Sequence, residues 1–378
     1  MRHTIPFMHM GIDCRLPSYR MGGISRYTIQ LIQALNWVAG AEEFTIFHKM
    51  GEKRSFLPDG SARFSRSDLL TPCHHKFERQ ALAVELVRHR LDVFHSPDFI
   101  PPAPVTARRV ITVHDLSFLY FPEMLTAESR RYYADQIGWA VNVADHIIAD
   151  SHATRDDIIK LLGVAPERTT TIHVAADEVF SADYDVGEIG RTVAEYGIGE
   201  GYILFVGTLE PRKNLRMLLR AYHRLRKERG VKVPLVLVGS KGWLYEEIFD
   251  EIARLGLGDC VRHLSGVSDI RLAHLYRAAG VLAFPSYYEG FGLPALEAML
   301  GGCPVVCAGK GSLPEVVGDA AIQLDPDDID GWMTAIEGVL SDSESAGRMR
   351  AEGFAQARKF SWLKTAEATM AVYRGKKG

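Results

Sequence analysis

Short apolar runs that stop at a glycine, a proline or a polar residue recur along the chain, and stretches with helical spacing separate them. Brief β-branched runs of this kind read as strands buried on both faces, as in parallel sheets covered by helices. In the first half they are Gly11-Ile12-Asp13, Phe44-Thr45-Ile46-Phe47, Leu91–Ser96, Arg109–Asp115, Ala144–Ser151 and the alternating Thr170, Ile172 and Val174. Residues 1–10 show no clear element. Ile24, Tyr27, Leu31 and Leu35 fall on one helical face behind Met21-Gly22-Gly23. A second helix carries Arg130-Arg131-Tyr132-Tyr133, with Ile137 and Val141 farther along. Ser151 is suited to cap a helix that opens at His152.

Residues 177–200 break this rhythm with Asp, Gly and few apolar positions, and read as the crossing into a second domain. Alternation then resumes with Tyr202–Gly207, Val233–Ser240, Cys260–Ser268, Val281–Ser286, Pro304–Ala308 and the short strand and loop Ala320–Pro326. Leu215, Leu218, Leu219 and Tyr222 recur at helical spacing behind Asn214, a favourable N-cap. Pro294 favours a helix through Met299, because proline suits the first helical positions. Ser361 would cap a closing helix. The expected organisation is α/β: a first domain over 1–176, a second over 177–360, and a C-terminal helix over 361–378 that returns to the first.

A length of 378 residues allows two separate cores. A composition of 47% hydrophobic and 24% charged residues is that of an ordinary globular protein. A net charge of -3 carries no general nucleic-acid signature, so no nucleic-acid partner is expected. No apolar run approaches the ~20 residues of a membrane span, and Met1 does not open a secretory pattern. Cys14, Cys73, Cys260, Cys303 and Cys307 are scattered and read as free thiols, which points to a reducing cytoplasm. Asp325, Asp327 and Asp328 surround Pro326 as a turn and helix cap would, so neither a metal nor another cofactor is expected.

Ligands of open α/β sheets bind outside the carboxyl ends of the strands. Residues at those ends are therefore the candidates for chemistry. The stretch Tyr288-Glu289-Gly290-Phe291-Gly292-Leu293-Pro294-Ala295-Leu296-Glu297-Ala298-Met299 places one acid on a loop and another early in a helix. Gly290 and Gly292 let a ligand approach their backbone amides, and the helix start favours a phosphate. Arg212 and Lys213 precede another helix start and could neutralise a diphosphate; a surface basic pair is the alternative. Gly22 and Gly23 suit either a phosphate contact or a tight turn. His114 and Asp115 end a buried run, where the histidine is either functional or a hydrogen-bonded residue at the edge of the core. Arg130-Arg131-Tyr132-Tyr133 could face an anionic acceptor or lipid headgroups, against a solvated basic face with tyrosines beneath.

The Tyr288–Met299 stretch resembles the E-x7-E signature of retaining group 1 glycosyltransferases, a family that includes bacterial mannosyl- and glucosyltransferases. The resemblance extends over nearly the whole chain. It implies the GT-B fold, with two Rossmann-like domains facing across a deep cleft, the acceptor on the first and the nucleotide sugar on the second. By resemblance Glu289 lies near the donor sugar and Glu297 binds the ribose. Val-His-Asp-Leu-Ser-Phe supplies the cleft histidine, His114, beside Asp115 on the acceptor side. The implied catalytic set is His114, Glu289, Arg212 and Lys213. The implied donor-binding set is Gly22, Gly23, Thr208, Ser240, Val267, Gly290, Phe291, Gly292, Leu293 and Glu297. Many family members carry arginine where this chain has Thr208, so Arg212 becomes the candidate for the missing guanidinium.

Gly-Ile-Ser-Arg-Tyr, Val-His-Asp-Leu-Ser-Phe and Gly-Thr-Leu-Glu-Pro-Arg-Lys-Asn-Leu look most like bacterial mannosyltransferases of surface-polysaccharide assembly. The resemblance implies GDP-mannose as donor, with UDP-glucose and UDP-N-acetylglucosamine open, and retention of anomeric configuration. The acceptor would be a saccharide or a lipid-linked saccharide, which would bring the first domain to the inner membrane surface. An epimerase, a phosphorylase and a non-catalytic nucleotide-sugar-binding protein are the rival readings.

Overall fold

The computed structural model describes residues 8–19, 21–104, 107–124 and 127–375. The chain forms two compact units. The first takes in the sequence through Tyr120, Ala127–Val174 and the segment from Ser361; the second takes in the segment starting at Phe121 and Ala175–Phe360.

The first unit is built on seven strands: β1 (His9–Asp13), β2 (Glu43–Lys49), β3 (Phe64–Leu69), β4 (Val93–Ser96), β5 (Arg108–Val113), β6 (His146–Ala149) and β7 (Thr169–Thr171). Their order is β3-β2-β1-β4-β5-β6-β7, and every pairing is parallel. The chain thus winds outward from β1 in one direction and from β4 in the other. The gap between the loops that leave those two strands is the switch point where such sheets bind ligands. The helix Gly23–Val38 buries Tyr27, Leu31 and Leu35 as its periodicity requires. Against it packs the closing helix Trp362–Tyr373, whose N-cap Ser361 accepts from the Lys364 amide. Ser151 caps His152–Leu162 through the Thr154 amide.

The second unit repeats the plan with β8 (Ile203–Val206), β9 (Leu235–Val238), β10 (Val261–Leu264), β11 (Val281–Phe284), β12 (Val305–Ala308) and β13 (Ile322–Leu324). Their order is β10-β9-β8-β11-β12-β13, again parallel throughout. Every residue of β8, β9, β11 and β12 is buried, which is why these strands read as unbroken apolar runs. The switch point lies between β8 and β11, so the loops after Val206 and Phe284 meet there.

Several expectations change. β1 begins inside residues 1–10, where no element was expected. β3 was not expected, because Ser65, Arg66, Ser67 and Asp68 make this edge strand polar. β7 stops at Thr171, short of Ile172 and Val174, although both of those side chains are buried. Residues 177–200 are not a bare crossing: Asp185 caps the helix Val186–Glu195, and Thr192 on it hydrogen-bonds the His274 ring at 2.8 Å. The side chains of Arg130, Arg131 and Tyr132 lie outside the described residues, while Tyr133 stacks on Phe118. Asp328 caps the helix Ile329–Ser341 and Asp325 accepts from the Asp327 amide, which gives both acids a local partner.

Candidate active site

In the second unit the two loops of the switch point bring four charged side chains together. β8 is followed by Gly207, whose φ of +153° suits glycine, and β9 by Gly239 in the same conformation. A Cβ on Gly239 would lie 1.9 Å from the Gly207 carbonyl oxygen, so the two chain exits are pressed backbone to backbone. The β8 loop then turns through Pro211–Lys213, a single 3-10 turn that aims Arg212 and Lys213 toward the loop from β11.

Lys213 Nζ donates to Glu289 Oε1 at 2.5 Å. Arg212 Nη1 donates to the Tyr288 carbonyl at 2.5 Å and lies 3.4 Å from Glu289 Oε2, while Nη2 reaches Glu210 Oε1 at 2.8 Å. Glu210, Lys213 and Glu289 are buried. Two cations and two carboxylates thus balance in a nearly dry site, which is what makes burying them tolerable. Burial pushes the Glu289 carboxyl up, but Lys213 and then Arg212 outweigh it and hold the group below the usual carboxylate range. Burial and the neighbouring Arg212 push the Lys213 ammonium down, with Glu289 and Glu210 acting against them. The partners differ because Glu289 faces two cations, whereas Lys213 faces one cation besides its acids.

The Glu289 backbone is clamped from below. Ser312 Oγ donates to its carbonyl at 2.9 Å, and a Cβ on Gly311 would stand 3.0 Å from that same oxygen. Gly292, at φ +95°, opens the helix Leu293–Leu300, and its missing Cβ leaves room for Leu313. Pro294 sits in the first turn, and Phe291 packs edge-to-face on Phe360. The second acid, Glu297, faces inward from this helix and is buried; the Tyr276 hydroxyl donates to its Oε2 at 2.9 Å.

The remaining second-unit candidates lie at the same carboxyl edge. Thr208 follows Gly207, and its methyl would meet a Cβ on Gly242 at 2.8 Å. Ser240 is exposed after β9 and accepts from the Leu209 amide through its carbonyl. Val267 follows β10 and is half-buried, as is Leu293; Gly290 is buried. Asn214 departs from expectation. It occupies the N-cap position of the helix Leu215–Glu228 in a left-handed conformation, and its side chain makes no cap. Instead Nδ2 donates to the Pro326 carbonyl at 2.7 Å and ties the β8 loop to the turn after β13.

In the first unit, His114 and Asp115 leave β5 next to β4. His114 Nδ1 lies 2.5 Å from Asp150 Oδ2, and Nε2 lies 2.9 Å from the Pro97 carbonyl oxygen. Asp115 Oδ1 accepts from the Ser117 amide at 2.9 Å and its hydroxyl at 2.7 Å, a turn that starts the helix Ser117–Tyr120. Gly22 is the N-cap of Gly23–Val38, and a Cβ on Gly23 would meet open space. Gly23 therefore owes its place to no internal packing. A small cavity at this sheet's switch point is lined in part by Asp13, Thr28, Glu78, Ser96 and Asp98.

Glu210, Tyr276, Ser312, Asp150 and Pro97 all support candidate residues and were not singled out from the sequence. Glu210 lies inside the quoted Gly-Thr-Leu-Glu-Pro-Arg-Lys string, so its proximity to Arg212 was readable. Tyr276, Ser312 and Asp150 become neighbours of their partners only through tertiary packing.

Twin parallel α/β units, with an acid–base cluster at the switch point of the second, match the frame of a GT-B glycosyltransferase. The chain belongs to the group 1 glycosyltransferases: residues 193–356 match Glycosyl transferases group 1, and residues 21–179 match Glycosyltransferase Family 4. It is 34% identical over 377 residues to O-antigen chain mannosyltransferase B of Escherichia coli, covering 94% of this chain and 97% of that protein. It is also 32% identical over 275 residues to the serotype-specific mannosyltransferase WbdA of Escherichia coli, covering 71% of this chain and 33% of WbdA. Among solved structures, sucrose-phosphate synthase from Thermosynechococcus elongatus shares the GT-B fold with a TM-score of 0.76 at 21% identity, over 97% of this chain and 98% of that one. No helix of the described residues is long and apolar enough to cross a membrane.

Proposed function

We propose that the protein is a retaining mannosyltransferase that moves mannose from GDP-mannose to a saccharide or lipid-linked saccharide in cell-surface polysaccharide synthesis, working in the cytoplasm. The observation that carries this reading is the Glu210–Arg212–Lys213–Glu289 cluster at the second unit's switch point. The names of the two Escherichia coli relatives support mannose as the sugar and polysaccharide assembly as the setting. The second unit binds the donor and the first the acceptor. The diphosphate takes Arg212 and Lys213 as its cations, displacing part of their present pairing with the acids. Glu289 then turns toward the sugar hydroxyls, and Glu297, held by Tyr276, toward the ribose. Gly290, Gly292 and the start of Leu293–Leu300 supply amides to the anion. Thr208, Ser240, Val267, Phe291 and Leu293 shape the rest of the donor site.

The reaction breaks the bond between the anomeric carbon and the diphosphate oxygen, and forms one to the acceptor oxygen on the same face. The acceptor proton passes to the departing phosphate oxygen. Charge that develops on that oxygen is stabilised by Arg212, Lys213 and backbone amides, without a metal. The test is transfer from GDP-mannose to a panel of mannose-terminated oligosaccharides, with the product's anomeric coupling read by NMR. An α-linked product, undiminished by EDTA, is expected. A β-linked product sinks the retaining mechanism, and productive use of UDP-sugars alone replaces the donor. Epimerised sugar without acceptor consumption would return the epimerase reading.

A further inference from the structure

His114 is held between two oxygens that can only accept. The Pro97 carbonyl has no proton to give, so Nε2, 2.9 Å away, must carry one. An ionised Asp150 likewise only accepts, so Nδ1, at 2.5 Å, carries the second. A neutral imidazole has one N–H and would leave one of these contacts without a proton. The ring has little freedom to turn aside. Tyr27 meets it edge-on at 4.9 Å and an interplanar angle of 79°. The Tyr27 hydroxyl is 3.1 Å from Thr112 Oγ1, that oxygen is 2.8 Å from His95 Nε2, and His95 Nδ1 is 2.6 Å from the hydroxyl of Tyr373 on the closing helix. Thr154 Oγ1 donates to the His114 carbonyl and holds the backbone.

The charged and titratable groups around the ring agree with one assignment. Asp150 faces it from the end of β6, Asp98 from the loop after β4, and Asp115 adjoins it in sequence. His95, on β4, is fully buried and pushed down to about 3 by burial and then by the charge of His114, so it stays neutral. Tyr27 stays protonated, because burial raises its phenol. Burial pushes His114 itself down, but the charge and hydrogen bond of Asp150 lift it above the ordinary histidine value.

Building on the glycosyl-transfer reading, we propose that Asp150 is a positioning residue that holds His114 as an imidazolium, so the carboxyl edge of the first sheet carries an imidazolium–carboxylate pair rather than a proton acceptor. A doubly protonated ring has no lone pair. It cannot take the acceptor's proton.

The test is imidazole nitrogen NMR on the full chain, with His114→Gln to assign the signal. The wild-type spectrum is expected to show both His114 nitrogens protonated at pH 7, with a midpoint above the ordinary value of about 6.5. Asp150→Asn should lower that midpoint, and should move the alkaline fall of kcat/KM down with it. A neutral His114 in the wild type at pH 7 overturns the proposal, even if Asp150→Asn fails to fold. A midpoint unmoved by Asp150→Asn also overturns it, and a midpoint that moves while the kcat/KM profile stays put removes the positioning role. The spectrum needs no nucleotide or acceptor, so it stands or falls separately from the glycosyl-transfer reading.

Discussion

Replacing Lys213 by methionine removes one charge from the switch-point cluster while keeping most of the side chain's volume. Lys213 Nζ lies 2.5 Å from Glu289 Oε1, and both side chains are 9% exposed. Breaking a buried pair from one side leaves its partner uncompensated and typically costs about 3–5 kcal/mol. Arg212, 3.4 Å from the other carboxylate oxygen, stays to share the load, which argues for the lower end, about 3 kcal/mol. At about 2–4 °C per kcal/mol for a unit of this size, the second unit should melt roughly 6–12 °C lower at pH 7. The pH dependence has a definite sign. In the wild type the Glu289 carboxyl is depressed, so its contribution is present above its unfolded value and lost as pH falls through the folded one. In Lys213→Met the largest counterweight to burial is gone, Glu289 protonates more readily, and the deficit should narrow as pH falls from 7 toward 5. Lys213 also supplies a charge-assisted hydrogen bond to the proposed diphosphate, worth about 1.5–3 kcal/mol, so GDP affinity should fall about 10–150-fold by titration calorimetry. A variant that melts within about 2 °C of wild type at pH 7 and binds GDP equally well would refute both parts of this reasoning.

Other substitutions probe separate parts of the account. Tyr276→Phe removes the hydroxyl 2.9 Å from Glu297 Oε2 and should cost about 1–3 kcal/mol in a melt. It should also weaken GDP binding while sparing inorganic pyrophosphate; equal losses for the two ligands would count against Glu297 as the ribose contact. Gly239→Ala would force a Cβ to 1.9 Å from the Gly207 carbonyl oxygen at a φ of +153°. A loss of more than about 3 kcal/mol in denaturant unfolding is expected, and a near-neutral result would show that the chain exits are not so tightly pressed. Glu42 is fully buried and pairs with Arg374 at 2.5 Å just beyond the closing helix. Arg374→Met should therefore speed hydrogen exchange across Trp362–Tyr373, and unchanged exchange would mean that the helix is held by its apolar face alone.

Much of the architecture was legible because parallel strands buried on both faces leave an unambiguous mark. Val206, Val238 and Phe284 each end a short apolar run, and the chemistry-bearing loops follow them. Leu215, Leu218, Leu219 and Tyr222 showed one face of a helix, and that face is buried. β3 was hidden because an edge strand can present Ser65, Arg66, Ser67 and Asp68 without an apolar signal. Asn214 misled for a different reason: asparagine favours both the N-cap and the left-handed region, and only the position of the Pro326 carbonyl decides between them. The candidate site was legible as a set of loops but not as a charge balance. Arg212 and Lys213 read as free cations awaiting a phosphate, whereas the fold pairs them with Glu210 and Glu289. That pairing depends on the adjacency of β8 and β11, which sequence spacing does not encode. The same holds for His114, whose partners come from the ends of β4 and β6.

The most direct test of nucleotide-sugar binding at the second unit's switch point is a thermal-shift panel of GDP, UDP, ADP and their sugars, with and without EDTA. A ligand that binds only the folded protein raises its melting temperature by mass action. A shift selective for GDP and GDP-mannose is expected, unchanged by EDTA and greatly reduced in Lys213→Met. A UDP-selective shift would discard mannose as the leading donor, and no shift with any nucleotide would contradict the assignment of this cluster as the donor site.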